Sequence, residues 1–247
     1  MSYEFFPIGT ASTPYPEKFS IPRQPGLVTS DQSYIELQGD ANREEILRGL
    51  ENFSHIWVVF VFHHAMRDNW KPMVRPPRLG GNEKVGVFAS RSPFRPNPIG
   101  LSVLKLKGIS SHQGRWRIHI EGADLLNGTP ILDIKPYLPY ADSLSNAQGG
   151  FATAAPERLP VIFSATAEPQ LQKAAGDFIQ LRQLIIDVLG QQPQPAYHSD
   201  KQKRQYGISL YTLNIRWQYS QMEQGFDTAA PGAFEPCIEV TEITQID

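Results

Sequence analysis

Proline and glycine restrict the fold of this chain more than any other feature of its sequence. The 247 residues include 21 prolines and 19 glycines, about one residue in six. Because proline interrupts helices and central strands, and glycine favours turns, the regular elements should be short. We therefore expect a mainly β protein with long ordered loops rather than a helical bundle.

Residues 84–134 contain a run of short strand-like segments. Strands are predicted at residues 84–90, 99–109, 115–121 and 130–134. Glycines punctuate the run at positions 100, 108, 114, 122 and 128. Short strands at this spacing are typical of an antiparallel barrel or sandwich. Strands and helices do not alternate here, which argues against a doubly wound α/β sheet.

The residues before this run predict two strands and one helix. A short strand is expected at residues 4–9 and a helix at 42–52, where one apolar stripe faces charged residues. Residues 55–63 are β-branched and aromatic without alternation, so we expect a strand that is buried on both faces. The segment 64–84 is long for a connection and rich in apolar groups, which indicates an ordered functional loop.

A change of composition near residues 141–156 separates two predicted domains. Residues 1–150 would form a β-barrel domain, and residues 151–247 a small α+β domain. The second contains a helical pattern at 168–189 and strand patterns at 206–217 and 237–243. The last 27 residues hold six acids and no lysine or arginine, which suggests a partly solvated edge.

Charge and cysteine content narrow the class of protein. Lysine and arginine number 23 against 25 acids, a net charge of −2, so overall charge does not indicate nucleic-acid binding. The single Cys237 excludes an internal disulfide. The start of the chain does not resemble a signal peptide, and the longest apolar stretch, residues 56–62, is too short to span a bilayer. We expect a cytoplasmic protein with no membrane partner.

Residues 75–95 concentrate positive charge, with five basic residues against one acid. Three prolines within residues 91–100 would fix the backbone around Arg91, Arg95 and Asn97. Rigidly placed guanidinium groups suit an anion-binding site, because their geometry matches carboxylates and phosphates. The alternative is a solvated loop whose arginine stems pack on prolines.

The chemistry of other candidate residues is less defined. His63 and His64 end the predicted strand, where neighbours should point to opposite faces, so they cannot jointly chelate a metal. They would be either hydrogen-bond donors at a pocket rim or core histidines. No metal site is predicted, and the dinucleotide, P-loop and serine-hydrolase motifs are missing from the sequence. Residue patterns alone thus indicate anion or nucleic-acid binding without a stated reaction.

A series of ordered motifs goes further. They are FPIG (6–9), IPRQPGL (21–27), FSHIW (53–57), FHH (62–64), VRPPRLGGN (74–82), VGVFASRSPFRPNPIGL (85–101), DLLNGTP (124–130) and LDIKPY (132–137). Together they closely resemble the TsaA-like family of tRNA methyltransferases, known as TrmO. Three shorter matches, at 194–197, 206–207 and 214–217, resemble the C-terminal domain of bacterial members.

This resemblance implies a single-sheet antiparallel β-barrel that binds S-adenosylmethionine without a Rossmann fold. It also implies methyl transfer to the exocyclic amine of threonylcarbamoyl-adenosine, next to the anticodon of threonine tRNA, by a homodimer. Two alternatives stay open: a non-catalytic RNA-binding module that uses the same basic segment, and a small-molecule-binding β-barrel.

The resemblance also assigns residues. It places the cofactor contacts at Pro22, Arg23, Gln24, His63, His64, Arg91, Leu101, Asp124, Leu125, Leu126 and Asn127. Asn127 departs from the aspartate that the family often has, which removes a charge. For RNA we expect contacts from three arginines of the basic segment and two residues of the second domain: Arg75, Arg78, Arg95, Arg204 and an exposed Tyr206. No catalytic residue is assigned.

Overall fold

The computed structural model describes residues 3–67, 69–194, 204–223 and 234–246. Strands dominate this part of the chain, so the prediction of a mainly β protein is confirmed. The strands are β1 (Gly9–Ser12), β2 (Ser33–Leu37), β3 (His55–Val61), β4 (Met73–Val74), β5 (Val85–Gly86), β6 (Ile99–His112), β7 (Arg115–Glu121), β8 (Pro130–Pro136), β9 (Val161–Phe163), β10 (Gln205–Leu210), β11 (Leu213–Glu223) and β12 (Phe234–Gln245). The α-helices are α1 (Pro139–Asp142), α2 (Ala167–Ala174) and α3 (Leu181–Gly190).

Six antiparallel strands form the first sheet, in the order β1-β2-β7-β6-β3-β8. Because β1 pairs with β8 as well as with β2, the sheet closes into a barrel. Alternate side chains such as Ile35, Ile56 and Ile118 are fully buried inside it. Successive side chains of a strand point to opposite faces, so the same alternation leaves the outer face of the barrel available for other contacts.

Strand β3 differs from its sequence prediction. Its side chains alternate between buried and half-buried, so the expectation of a strand buried on both faces is wrong. Ile56 and Val58 point into the barrel, whereas Trp57 and Val61 point outward and line a cleft. The outward positions are apolar because the cleft covers them partially, which hides the alternation in the sequence.

Two predicted helices are interrupted. Residues 42–52 form short 3-10 turns, because Gly49 adopts a left-handed conformation with φ of 88° between Glu44–Leu47 and Leu50–Asn52. The pattern at 168–189 forms two helices, α2 and α3, separated by a turn in which Gln180 has φ of 60°. In both cases a local backbone reversal overrides an apolar periodicity that continues through it.

Several strand boundaries also move. The strand predicted at 4–9 begins only at Gly9, and the one at 84–90 is reduced to the two residues of β5. The segment 206–217 is a hairpin, since β10 and β11 are joined through Tyr211 with φ of 53°. Gly100 lies inside β6, and a glycine is required there because a Cβ would come within 2.2 Å of the Phe60 ring.

The second domain has its own sheet, in the order β10-β11-β12-β9. Strand β9 runs parallel to β12, and helices α2 and α3 pack against the sheet around Leu184, Ile215 and Trp217. The prediction of a partly solvated edge for the last residues holds only at the two ends of β12, where Phe234 and Gln245 are exposed. Strand β12 is an interior strand, and Ile238 and Val240 on it are fully buried.

The two sheets share a buried junction. Tyr15 and Val28, from the loops of the first domain, are fully buried in the core of the second. Ser30 Oγ donates a 2.7 Å hydrogen bond to the Asp187 carboxylate on α3. The two sheets are thus separate but are joined by buried contacts. The domain boundary at residue 150 stays a prediction. Across the described ranges, every helix falls short of the length and apolar character that crossing a bilayer demands.

Candidate functional site

A wide cleft runs along the outer face of β3 and β6. Its other walls come from residues 16–27, the long loop after β3, residues 148–156 and the end of α3. Its volume is about 3150 Å³, whereas pockets for small molecules are usually about 300–1,000 Å³. The cleft can therefore hold a small molecule together with part of a larger partner.

The cleft is strongly cationic. Its described lining residues include two acids, Glu17 and Asp124. They also include eight lysines and arginines: Lys18, Arg23, Arg67, Lys71, Arg75, Arg78, Arg91 and Arg95. None of the eight forms an ion pair with a carboxylate in the part of the chain that the structure describes. Unpaired cations in a concave wall attract an anionic ligand.

The proline-rich segment after β5 holds its polar groups by local hydrogen bonds. Ser90 Oγ accepts from the Ser92 N–H, and Ser92 Oγ accepts from the Phe94 N–H, each at 3.3 Å. Arg91 Nη1 donates to Gln24 Oε1, which connects this segment to the Pro-Arg-Gln motif. Proline stiffness and these serine turns fix the backbone that carries Arg91, and Gln24 holds its guanidinium.

Asp124 lies in the turn after β7 and faces the cleft. Ser102 Oγ donates a 2.6 Å hydrogen bond to Asp124 Oδ1. Burial raises the pKa of Asp124 from 3.8 to about 6, and the Ser102 hydrogen bond and the charge of Arg91 oppose that rise. The turn itself is fixed by Asp31, whose carboxylate accepts the N–H of Gly122 at 2.8 Å.

His63 and His64 line the cleft together. They belong to a 3-10 turn after β3, with ring centroids 4.3 Å apart, so the prediction that they point to opposite faces of a strand is wrong. Burial, and then the neighbouring His64, lower the pKa of His63. A neutral imidazole at this position can accept or donate a hydrogen bond. The described residues contain no cluster of three or more His, Cys, Asp or Glu that could hold a metal ion.

Comparison with known proteins identifies the family. The family model described as tRNA-methyltransferase O N-terminal domain matches residues 10–143, and the TrmO C-terminal domain matches residues 156–226. The chain belongs to the TrmO family. The resemblance inferred from the ordered motifs is thereby confirmed.

Individual relatives agree with this assignment. A protein of Escherichia coli (strain K12) named tRNA (adenine(37)-N6)-methyltransferase is 45% identical over 231 residues, 93% of this chain and 97% of that protein. A Pseudomonas aeruginosa protein whose name describes an S-adenosylmethionine-dependent methyltransferase is 43% identical, over 89% of this chain and 94% of its own. The crystal structure of TrmO from Pseudomonas aeruginosa superposes with a TM-score of 0.76 at 34% identity, covering 99% of both chains.

Most residues that the TrmO resemblance assigns to the cofactor lie in the cleft. The cleft is lined by Pro22, Arg23, Gln24, His63, His64, Arg91, Leu101, Asp124 and Leu126. Two do not line it. Leu125 is fully buried in the barrel core, and Asn127 lies at a separate cavity of about 440 Å³, where its Oδ1 accepts the Thr13 N–H.

The residues predicted to contact RNA divide differently. Arg75, Arg78 and Arg95 line the cleft, and Arg204 is exposed just before β10. Tyr206 is not the exposed contact that was predicted, because its ring is half-buried and stacks on Trp217 at 4.6 Å. Two further basic residues that precede β10, Lys201 and Lys203, lie outside the described residues.

Sequence reasoning missed two parts of this TrmO cleft. One is Ser102, although a serine among the inward-facing positions of the apolar strand β6 was a detectable signal. The other is the end of α3, where Val188 and Gln191 of the second domain line the cleft. Their sequence carries no sign of that role, since only the packing of the two domains brings them there.

Proposed function

We propose that this protein transfers a methyl group from S-adenosylmethionine to N6 of an adenosine in tRNA. The observation that carries the proposal is the cationic cleft, which is lined by Arg91, Asp124 and the histidine pair among other residues and has a volume large enough for two ligands. The name of the Escherichia coli relative describes this activity, and the Pseudomonas aeruginosa relative's name describes this cofactor dependence.

The residues of the cleft suit the cofactor. Arg91, fixed by Gln24, would bind its carboxylate, and Asp124 would accept hydrogen bonds from ribose hydroxyls. Leu101, exposed on the outer face of β6, would pack on the adenine. Pro22, Arg23, His63, His64 and Leu126 complete the proposed contacts, whereas the buried Leu125 and the distant Asn127 do not fit a direct one. S-adenosylmethionine supplies an electrophilic methyl group when bound.

The substrate that we propose is threonylcarbamoyl-adenosine next to the anticodon of threonine tRNA. Arg75, Arg78 and Arg95 would contact the anticodon arm, and together with the enclosing walls they would align the exocyclic amine with the methyl group. Alignment of two reactants can contribute up to about 7–11 kcal/mol to lowering a barrier. A homodimer, a cytoplasmic location and a division of labour between residues 1–150 and 151–247 belong to the same proposal.

Calorimetry tests this function against its alternatives. The full chain is titrated first with S-adenosylmethionine and then with tRNA, with and without the threonylcarbamoyl group. We expect it to bind the cofactor and to prefer the modified tRNA. Binding of RNA without the cofactor would instead favour an RNA-binding module, and binding of the cofactor without RNA would favour a small-molecule-binding barrel.

A further inference from the structure

A tryptophan on the outer face of β3 is held in place at the edge of the cleft. Trp57 Nε1 donates a 3.0 Å hydrogen bond to Asp142 Oδ2, at the end of α1. The same oxygen accepts the N–H of Leu138 at 2.8 Å. The ring of Tyr137 lies 6.0 Å from the indole, at an angle of 44°. The segment that follows β8 therefore fixes the orientation of the indole.

The hydrogen-bonded edge of this indole is directed away from the cleft. Trp57 lines the cleft, whereas the three residues that hold it, Tyr137, Leu138 and Asp142, do not. The N–H is the one polar group of an indole, and here it is used by Asp142. The part of the ring that remains for the cleft is apolar, which suits a flat, aromatic ligand.

The neighbours of Trp57 on this wall are apolar as well. Val103 of β6 is directly paired with Trp57, and Leu101 occupies the diagonal position on the same face. Diagonal neighbours of antiparallel strands lie about 7–8 Å apart, within reach of a large ring. Both side chains line the cleft. In contrast to the arginines of the surrounding loops, this wall offers no charged partner for a phosphate, so it favours a nucleobase.

The proposed reaction brings two purines into the cleft, the adenine of the cofactor and the adenosine of the tRNA. The cofactor adenine is assigned to Leu101. The second purine must lie close to the cofactor, because methyl transfer requires reacting atoms about 3–3.5 Å apart. Trp57 is next to Leu101 on the same wall, and aromatic side chains commonly stack on unpaired RNA bases.

We propose that Trp57 is the stacking surface for the target adenosine, and that Asp142 is the residue that positions its indole. The inference rests on the proposed function, because it assigns the ring on Trp57 to the tRNA. Stacking would hold the base and direct its exocyclic amine along the wall toward the cofactor. A ring that is fixed before binding loses little entropy when a base stacks on it, so the Asp142 hydrogen bond increases affinity.

An abasic nucleotide separates stacking from every other RNA contact. The ligand is an anticodon stem-loop with threonylcarbamoyl-adenosine, compared with the same stem-loop in which the target nucleotide is abasic. The full chain should bind the intact stem-loop roughly tenfold more tightly than the abasic one. In Trp57→Leu this preference should fall to about twofold or less, through loss of affinity for the intact stem-loop alone.

Two controls distinguish stacking from a structural role. Asp142→Asn should keep the preference, because one carbonyl oxygen can accept both hydrogen bonds that Asp142 Oδ2 accepts, whereas Asp142→Ala should reduce it. Trp70→Leu is the matched control, since Trp70 is exposed in the same cleft, and its loss should change both affinities alike. The intact stem-loop should also quench tryptophan fluorescence in the parent, and this quenching should be missing in Trp57→Phe.

A preference for the intact stem-loop that survives in Trp57→Leu would overturn the inference. A tenfold loss of S-adenosylmethionine affinity in Trp57→Leu would assign the ring to the cofactor adenine and overturn it as well. Thermal unfolding shows whether each variant is folded, and Asp142→Ala retains the test if Trp57→Leu is not. The proposed function fails separately. If the parent does not methylate the intact stem-loop, that function is wrong, although the stacking preference is still measured by binding.

Discussion

The barrel has two charged outer surfaces that treat their cations in opposite ways. Over β2, β7 and the second half of β6, every lysine and arginine of the ladder meets an acid: Glu36 pairs with Arg115 and Arg117, and Glu121 with Lys105 and Lys107, at 2.8–3.1 Å. In the cleft over β3 and the first half of β6, the cations of the described residues meet none. A net charge of −2 conceals this segregation, because positive charges that are paired on one surface and unpaired on the other still nearly cancel against the acids of the whole chain.

The paired surface also shows the electrostatic consequence of neutralisation. Hydrogen bonds from Arg117 and Lys107 hold the pKa values of Glu36 and Glu121 below their ordinary range. In the cleft the shifts run the other way, since the pKa of Asp124 is raised and that of the Arg23 guanidinium is lowered. The charged forms are stabilised on the paired surface and destabilised in the cleft. A ligand of opposite charge can stabilise them there.

The largest contrast should come from single arginine removals on the two surfaces. Arg91→Ala should weaken S-adenosylmethionine binding by about 1.5–3 kcal/mol, because hydrogen bonds to charged groups contribute that much. Its effect on tRNA affinity should be smaller. Arg115→Ala, on the paired surface, should change neither affinity, and calorimetry with each ligand measures both. An unchanged cofactor affinity in Arg91→Ala would show that Arg91 does not make the cofactor contact that the family resemblance implies.

Asp124 extends the comparison to pH. Because its pKa is raised to about 6 in the folded protein, its contribution to stability is complete below the unfolded pKa and is lost as pH rises through about 6. Asp124→Asn should therefore be more stable than the parent by about 1–3 kcal/mol near pH 8, with little difference near pH 4. Urea unfolding at both pH values checks this expectation.

Cofactor binding should show the reverse dependence on the same group. Arg91 and Ser102 face Asp124 and favour its ionised form, which is the form that accepts ribose hydroxyls. The affinity of the parent should fall as pH drops below about 6, and Asp124→Asn should bind weakly at every pH. If the cofactor affinities of the parent and of Asp124→Asn depended on pH in the same way, Asp124 would not be a group that binds the cofactor.

The salt dependence of tRNA affinity should also differ between variants of the cleft and of the paired surface. If Arg75 contacts a phosphate, Arg75→Gln should reduce the slope of log K for tRNA against log salt by roughly 1. Arg117→Gln should leave that slope unchanged, because the counter-charge of Arg117 is Glu36. Titrations at three salt concentrations measure the slopes. Equal slopes for the parent and Arg75→Gln would show that Arg75 does not contact a phosphate of the tRNA.

The smallest effect is expected far from both surfaces. Cys237 is fully buried on β12, in the sheet of the second domain. Cys237→Ala should keep the methyl-transfer rate of the parent and lose about 1 kcal/mol of stability, since it removes packing and a weak hydrogen bond with Ser220. Excess EDTA should likewise leave the rate unchanged. Loss of activity in either experiment would contradict in-line transfer without a covalent enzyme intermediate or a metal.

The sequence predicted the barrel strands better than the turns. Strands β6 and β7 follow from alternation and β-branched residues, which are local signals. The breaks at Gly49 and Gln180 do not, because an apolar stripe continues across each of them. Single left-handed residues are chosen by tertiary packing, so a periodicity count misses them.

The residues of the candidate site could be predicted where they belong to contiguous motifs of the first domain. They could not be predicted where the packing of the two domains brings residues to the cleft. Arg91, Asp124 and the histidines come from contiguous motifs, and all of them line the cleft. Within the motif at 124–127, however, the chain turns, so that Leu125 enters the core and Asn127 faces another cavity. The prediction of an exposed Tyr206 is wrong for a similar reason, since its ring stacks on Trp217 in the second domain.

Methyl transfer to a defined RNA tests the central claim most directly. The full chain is incubated with labelled S-adenosylmethionine and threonine tRNA that carries threonylcarbamoyl-adenosine, and the product nucleosides are separated and identified by mass. We expect label on N6 of the threonylcarbamoyl-adenosine, with a rate that falls in Arg91→Ala and not in Arg115→Ala. Tight binding of both ligands without any labelled nucleoside, or label on another atom, would contradict it.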